Sequence, residues 1–135
     1  MFCLDTNILI SVINLRPARI RARLDAELVS GITIGIPAIV LFEMRYGVAK
    51  SDRRARSEAA LESFLSLSVT PWSFDPEDAE HAGDIRADLE SKGTPIGQYD
   101  YLIAAQARRR GATLVTLNRR EFERVPGLVV VDWMT

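Results

Sequence analysis

Three features of the chain predict an α/β fold with a mainly parallel, twisted sheet flanked by helices on both faces. Short runs rich in β-branched residues alternate with longer stretches of helical periodicity from end to end. The first apolar run, Phe2 to Leu4, stops at Asp5 and gives way at once to a helical pattern, which is how a strand feeds a helix in such sheets. Only one segment, Lys92 to Gly97, reads as a loop of its own, and no repeat or low-complexity stretch interrupts the alternation.

The elements follow in order. After the strand Phe2–Leu4, Thr6 to Asn14 carries apolar residues at helical spacing. Pro17 opens a second helix over Ala18 to Val29, where Ile20, Leu24 and Leu28 recur at every fourth position and Arg16, Arg19, Arg21 and Arg23 take the other faces. Ile32 to Ile36 alternates β-branched residues with glycine and stops at Pro37, a second strand feeding a helix from Pro37 to about Lys50. A helix over Arg53 to Leu67, with Ala60, Leu61, Phe64 and Leu65 inward, would form a hairpin with it. Val69 to Trp72 reads as a third strand. Pro76 to Ser91 reads as a helix capped by Asp75, with Glu77 and Asp78 in its first turn. A helix from about Tyr99 to Arg110, closed by Gly111, leads to a buried strand, Thr113 to Thr116. A short helix near Arg119 to Glu123 and a last strand, Leu128 to Val131, complete the pattern.

At 135 residues the chain is expected to fold as one domain, residues 1–135, with a core that needs no staples. The 17 basic and 18 acidic residues nearly cancel, so any contact with a polyanion must come from local patches rather than an overall field. The single cysteine, Cys3, excludes an internal disulfide, and the single histidine, His81, excludes zinc sites built from Cys and His clusters; on its helix a solvated role for His81 is favoured over histidine acid–base cleavage. A bound metal must therefore have oxygen ligands. No window approaches the roughly 18 apolar residues of a membrane span and no targeting segment precedes the first strand, which points to a soluble, cytoplasmic protein.

The chemistry is carried by acids at unusual places. Asp5 stands just beyond a buried strand, where open α/β sheets bind their ligands, although an Asp there also serves as a helix cap. Glu43 lies on an apolar stripe with Ile36, Ile39, Val40 and Gly47; its structural alternative is an ion pair with Arg45 or Arg86. Asp100 precedes Ile103, Ala104 and Ala107 on the same helical face, so it points inward from a first turn. A fourth polar cluster, Thr116, Asn118 and Glu121, follows the last buried strand; its alternative is an amphipathic turn with Glu121 in solvent. Separate acids meeting in one crevice repel one another unless a cation sits among them, and a hard divalent ion such as magnesium leaves room for a phosphate.

Leu4-Asp5-Thr6-Asn7, Glu43-Met44-Arg45-Tyr46-Gly47, Gly97 to Ala105 and Leu114 to Phe122, taken in that order, resemble a PIN domain, most closely the VapC-type ribonuclease toxins of type II toxin–antitoxin systems. The resemblance runs from Met1 to Val131-Asp132-Trp133. It implies an endoribonuclease dependent on Mg²⁺, or on Mn²⁺ in its place, with acids Asp5, Glu43 and Asp100 and a fourth position within Asn118 to Glu121. It also implies a homodimer and a cognate VapB-type antitoxin, in a larger hetero-oligomer, whose carboxyl-terminal segment blocks the acidic groove. On this reading Asp5 and Asp100 hold the principal metal, Glu43 holds it through water or shares a second ion, and Thr6 and Thr116 orient water or phosphate. Two other classes compete. A phosphoacceptor receiver domain also groups acids at strand ends but needs a lysine after its last strand, where this chain has only arginine. A catalytically silent PIN domain would use the acids only to bind a partner's arginine.

Overall fold

The computed structural model describes residues 1–134. Five strands, β1 (Phe2–Leu4), β2 (Ile34–Pro37), β3 (Thr70–Trp72), β4 (Thr113–Val115) and β5 (Val129–Val131), form one sheet in the order β3-β2-β1-β4-β5. All four neighbouring pairs run parallel, with Cys3 opposite both Gly35 and Leu114. Parallel strands need crossovers, and the helices supply them: α1 (Thr6–Asn14) and α2 (Ala18–Val29) after β1, α3 (Ala38–Ala49) and α4 (Arg54–Leu65) after β2, α5 (Pro76–Ser91) and α6 (Gln98–Arg109) after β3, and α7 (Arg119–Phe122) after β4.

The chain starts in the middle of the sheet, builds outward to β3, then returns to the other side of β1 for β4 and β5. Right-handed crossovers in opposite directions cover opposite faces. The strand order therefore reverses between β1 and β4, and that is where such sheets open a crevice at their carboxyl ends. Two backbone bonds close the base of it: Asp5 N–H donates to the Val115 carbonyl at 3.2 Å and Thr116 N–H to the Val131 carbonyl at 3.1 Å.

The expected elements are present with small shifts at their ends. The second strand starts at Ile34 rather than Ile32 and extends through Pro37, whose residue still pairs with Trp72. α4 stops at Leu65, because Ser66 leaves the helix and folds its hydroxyl back onto the Ser63 carbonyl. Leu61 and Phe64 are buried while Ala60 and Leu65 are only half-buried. Gly35 is required by contact: a Cβ there would lie 2.0 Å from the Trp72 ring, so the indole packs flat on the sheet only over a bare backbone.

α5 and α6 are locked by a charge cluster that the sequence did not announce. Asp75 and Asp78 close a reciprocal capping box at the start of α5. Asp78, fully buried, also receives Arg109 Nε at 3.0 Å and Arg110 Nη1 at 2.8 Å. Arg109 and Arg110 thus tie α6 to α5, and Arg110 additionally covers the Trp72 ring at 4.8 Å. Arg108 bonds His81 Nδ1 at 3.0 Å, which places the one histidine in a structural contact rather than in solvent. On the other edge of α6, Gln106 Nε2 donates to the Trp72 and Ser73 carbonyls at 3.1 and 3.0 Å. α6 is therefore fixed along its length before it presents any functional group.

Burial works to raise the Asp78 pKa, but the bonds from Arg109, the Asp75 backbone and Arg110 outweigh it and hold the group at about 2, from an ordinary 3.8. The depressed folded value means that the stabilisation is complete above the unfolded pKa and is lost as pH falls from about 4 through about 2, a loss of roughly 2 kcal/mol. Acid unfolding followed by circular dichroism should show this transition, and Asp78→Asn should remove it while lowering stability at pH 7 by about 3 to 5 kcal/mol, since two arginines lose their buried partner.

Candidate active site

Asp5 caps α1 and lines the crevice at the same time, so the two roles weighed for it coincide. Its Oδ1 accepts the Ile8 N–H at 3.0 Å, and its Oδ2 accepts the Thr116 hydroxyl, which in turn accepts the Asn118 N–H at 2.9 Å. Thr116 lies just past β4, on the far side of the switch point, so this bond spans the crevice floor. The side chain is 4% exposed and both its oxygens are engaged.

Glu43 reaches the crevice from α3, the helix that follows β2. Thr6 Oγ1 donates to its Oε1 at 2.7 Å. Neither arginine offered as its ion-pair partner is there: Arg45 bonds Glu62 at 2.7 Å and Arg86 bonds Glu90 one turn along its own helix at 3.2 Å. Arg86 is drawn outward because an exposed i, i+4 partner is available without desolvation.

Asp100 lies in the first turn of α6, half-buried, directly after the Gly97 N-cap. Gly97 is a functional position that periodicity missed. A Cβ on it would lie 2.9 Å from Asp100 Oδ2, so a side chain there would displace the carboxylate from its place over the helix start. The Gly97 N–H donates to Glu121 Oε1 at 3.2 Å, and the Asn118 amide is spent on Glu121 Oε2. Glu121 is therefore not a solvated turn residue: it is folded back against the N-terminus of α6. The available signal was a glycine three residues before an inward-facing acid.

Asp5, Glu43, Asp100 and Glu121 have no cationic partner among the described residues, and their fields overlap. Asp100 is pushed up from 3.8 to about 6, first by burial and then by the charges of Glu121, Glu43 and Asp5. Asp5 is raised as well, by burial above all and also by Glu43, against the opposing bonds from Thr116 and the Ile8 N–H. Among the described residues no three acidic, histidine or cysteine side chains gather closely enough to hold an ion. Like charges in a partly dry crevice stand apart until a cation draws them in. The donor set nevertheless fits such an ion, since it is all oxygen, uncompensated and coupled across one cleft.

Both threonine hydroxyls donate to carboxylates, Thr6 to Glu43 and Thr116 to Asp5, and so aim the acids. Cys3, immediately beneath Asp5, is fully buried, and burial followed by the Asp5 charge pushes its thiol up out of reactive range.

Two clefts open beside Glu43. One of about 510 Å³ is bounded by Thr6, Asn7, Phe42, Tyr46, Lys50 and Tyr99. The other, of about 640 Å³, runs between α1, α3 and α4 past Met44, Arg53 and Arg56.

Comparison with known proteins agrees with this geometry. The PIN domain family profile matches residues 2–128. The tRNA(fMet)-specific endonuclease VapC of Salmonella typhimurium is 42% identical over 132 residues, covering 98% of this chain and 97% of that one. Ribonuclease VapC2 of Rickettsia felis is 40% identical over 134 residues, covering 98% of each. Among solved structures, VapBC2 from Rickettsia felis bound to a DNA fragment from its promoter superimposes with a TM-score of 0.91 at 38% identity over 98% of both chains. DNA-bound VapBC from Salmonella typhimurium gives 0.89 at 42% identity, over 98% of this chain and 97% of that one.

Two measurements test the electrostatics. Asp100→Asn should raise the melting temperature in EDTA, because it removes one of the repelling charges, and the parent should gain more than the variant when Mn²⁺ is added. Thr116→Val and Thr6→Val should keep the fold but weaken Mn²⁺ binding and activity by about 10- to 100-fold, as loss of an orienting hydrogen bond does.

Proposed function

This chain belongs to the PIN domain family and to its VapC ribonuclease branch, and from that membership we propose that it cleaves RNA by divalent-metal-assisted hydrolysis of a phosphodiester bond as the toxin of a toxin–antitoxin pair. The observation that carries the site assignment is the set of coupled carboxylates, without a cationic partner among the described residues, at the switch point of a parallel sheet.

Asp5, Asp100 and Glu43 are the residues that would hold the ion, with magnesium the natural occupant and manganese a substitute. When bound, a divalent ion supplies Lewis acidity, which lowers the pKa of water and offsets charge on the phosphoryl group. The remaining chemistry belongs to the chain. Both Asp5 oxygens are held by donors, so Asp5 is a fixed anchor. Glu43 is held through Oε1 alone, which leaves Oε2 as the better placed acceptor for the proton of an attacking water. Glu121 holds the start of α6, and with it Asp100, in register; Asn118 supports Glu121 and contributes no charge.

Because the Salmonella typhimurium relative is a tRNA(fMet)-specific endonuclease, initiator tRNA is the first substrate to test. The VapBC structures pair such toxins with an antitoxin, and this chain is assigned a VapB-type partner whose binding silences the site, together with a homodimeric toxin core. Among the described residues no helix is long and apolar enough to cross a membrane, and a cytoplasmic setting suits an RNA substrate.

Purified protein should cleave initiator tRNA in preference to elongator tRNAs when Mg²⁺ is present and lose that activity in EDTA. Asp5→Asn and Asp100→Asn should each reduce cleavage by more than about a hundredfold, the effect of losing a ligand exceeding that of losing its support. In the metal-free protein Asp100 takes a proton near pH 6, so the Mg²⁺ concentration needed for half-maximal cleavage should rise as pH falls through that range. Retention of full RNA binding without cleavage at any pH or metal would favour the catalytically silent alternative.

A further inference from the structure

We infer that the turn between α3 and α4 is a phosphate track that carries the RNA backbone to the acidic site; the inference rests on the ribonuclease reading above. The physical need is plain. A crevice holding Asp5, Glu43, Asp100 and Glu121 repels a polyanion, and the whole chain, at a net charge of −1, offers no field to overcome that. Attraction must come from a local patch beside the site.

Lys50, Arg53, Arg54 and Arg56 fall within a window of seven residues at this turn. Arg21, Arg23, Arg45, Arg86, Lys92, Arg109, Arg110 and Arg119 are each matched to a carboxylate. Among the described residues none of the four basic groups at the turn has such a partner; Lys50 lies 4.7 Å over the Tyr46 ring instead. Arg16, Arg19, Arg108, Arg120 and Arg124 also lack a carboxylate partner among the described residues, but only at this turn do four such groups fall together. All four are exposed.

The turn is also built to hold its shape. Ser51 Oγ accepts the Arg53 N–H at 3.1 Å and lies 2.8 Å from Ser57 Oγ, while Ser57 N–H donates to the Arg53 carbonyl at 2.9 Å. The positive end of the α4 dipole adds to the same field. Arg53 and Arg56 line the 640 Å³ cleft, and Lys50 lines the 510 Å³ one. Glu43 borders both, so the patch leads from either side to a catalytic acid. Planar guanidinium groups suit phosphate oxygens, and a backbone-reading track needs no base contacts.

The test uses the full-length protein and labelled tRNA. Binding is measured by fluorescence anisotropy in EDTA over a range of NaCl, and cleavage in Mg²⁺ by initial rates. The slope of log affinity against log salt should fall by about 0.7 for each arginine removed in Arg53→Gln/Arg56→Gln, with affinity at 0.1 M salt down roughly tenfold or more. KM should rise with kcat unchanged, and the paired Arg→Lys variant should restore most of the slope. Arg86→Gln/Arg119→Gln removes the same net charge from matched surface arginines and should leave the slope unaltered. Equal slopes in the parent and in Arg53→Gln/Arg56→Gln overturn the track, as does an equal fall in the control pair. A variant that loses self-association or antitoxin binding while holding tRNA normally overturns it too and makes the turn a protein contact. Failure of the parent to cleave any RNA would strike the ribonuclease reading itself, whereas cleavage with an unchanged slope strikes only the track.

Discussion

Everything functional in this fold depends on holding carboxylates of one sign together where no protein cation reaches them. The arrangement is costly: burial and mutual repulsion lift Asp100 to about 6 and raise Asp5 despite two donors on its oxygens. Asp5, Glu43 and Glu121 are each fixed by neutral donors that do not cancel their charge. Thr116 and the Ile8 amide hold Asp5, Thr6 holds Glu43, and the Gly97 amide holds Glu121. A lysine or arginine in any of those places would stabilise the apoprotein and fill the vacancy a metal needs. The chain therefore gives up stability at the crevice and recovers it elsewhere, most visibly where Asp78 is clamped between two arginines.

How legible this was from residues alone depended on sequence distance. Asp5 could be located because a strand and a helix meet at it, and both signals are local. Glu43 and Asp100 stood out because an acid on an apolar helical stripe breaks a pattern that a short window displays. The strand order also follows from local rules, since alternating elements and right-handed crossovers leave few ways to arrange parallel strands. What could not be read were the partners. The Thr116 to Asp5 bond joins residues 111 apart and the Arg110 to Asp78 bond residues 32 apart, and nothing in the spacing marks either. Thr6 was legible as a site residue, but its bond to Glu43, 37 residues away, was not. Glu121 was ambiguous for a similar reason. Its turn is amphipathic, and only the return of the α6 N-terminus beneath it decides against solvent.

The near-neutral composition conceals a strong segregation of charge. Several basic residues are neutralised in exposed pairs one helical turn apart, such as Arg21–Asp25, Arg23–Glu27 and Arg119–Glu123, which contribute little to stability but remove those charges from the far field. Two regions concentrate charge of one sign without such pairing among the described residues: the acids of the crevice and the bases of the α3–α4 turn. A chain whose sum of charges is almost zero thus presents two opposed patches side by side around Glu43.

That segregation links catalysis to inhibition through one vacancy. On the proposed function, a divalent ion or the guanidinium of a bound partner would relieve the same repulsion among the same oxygens. A partner that inserts an arginine among Asp5, Glu43 and Asp100 therefore has no need to distort the fold or cover the whole groove; it need only satisfy the carboxylates better than the ion does. Because bidentate pairing with carboxylate is strong in a partly dry site, inhibition by such a partner competes directly with metal loading. On the proposed function, the uncompensated charge that would serve hydrolysis is also the feature that a partner's cation would recognise.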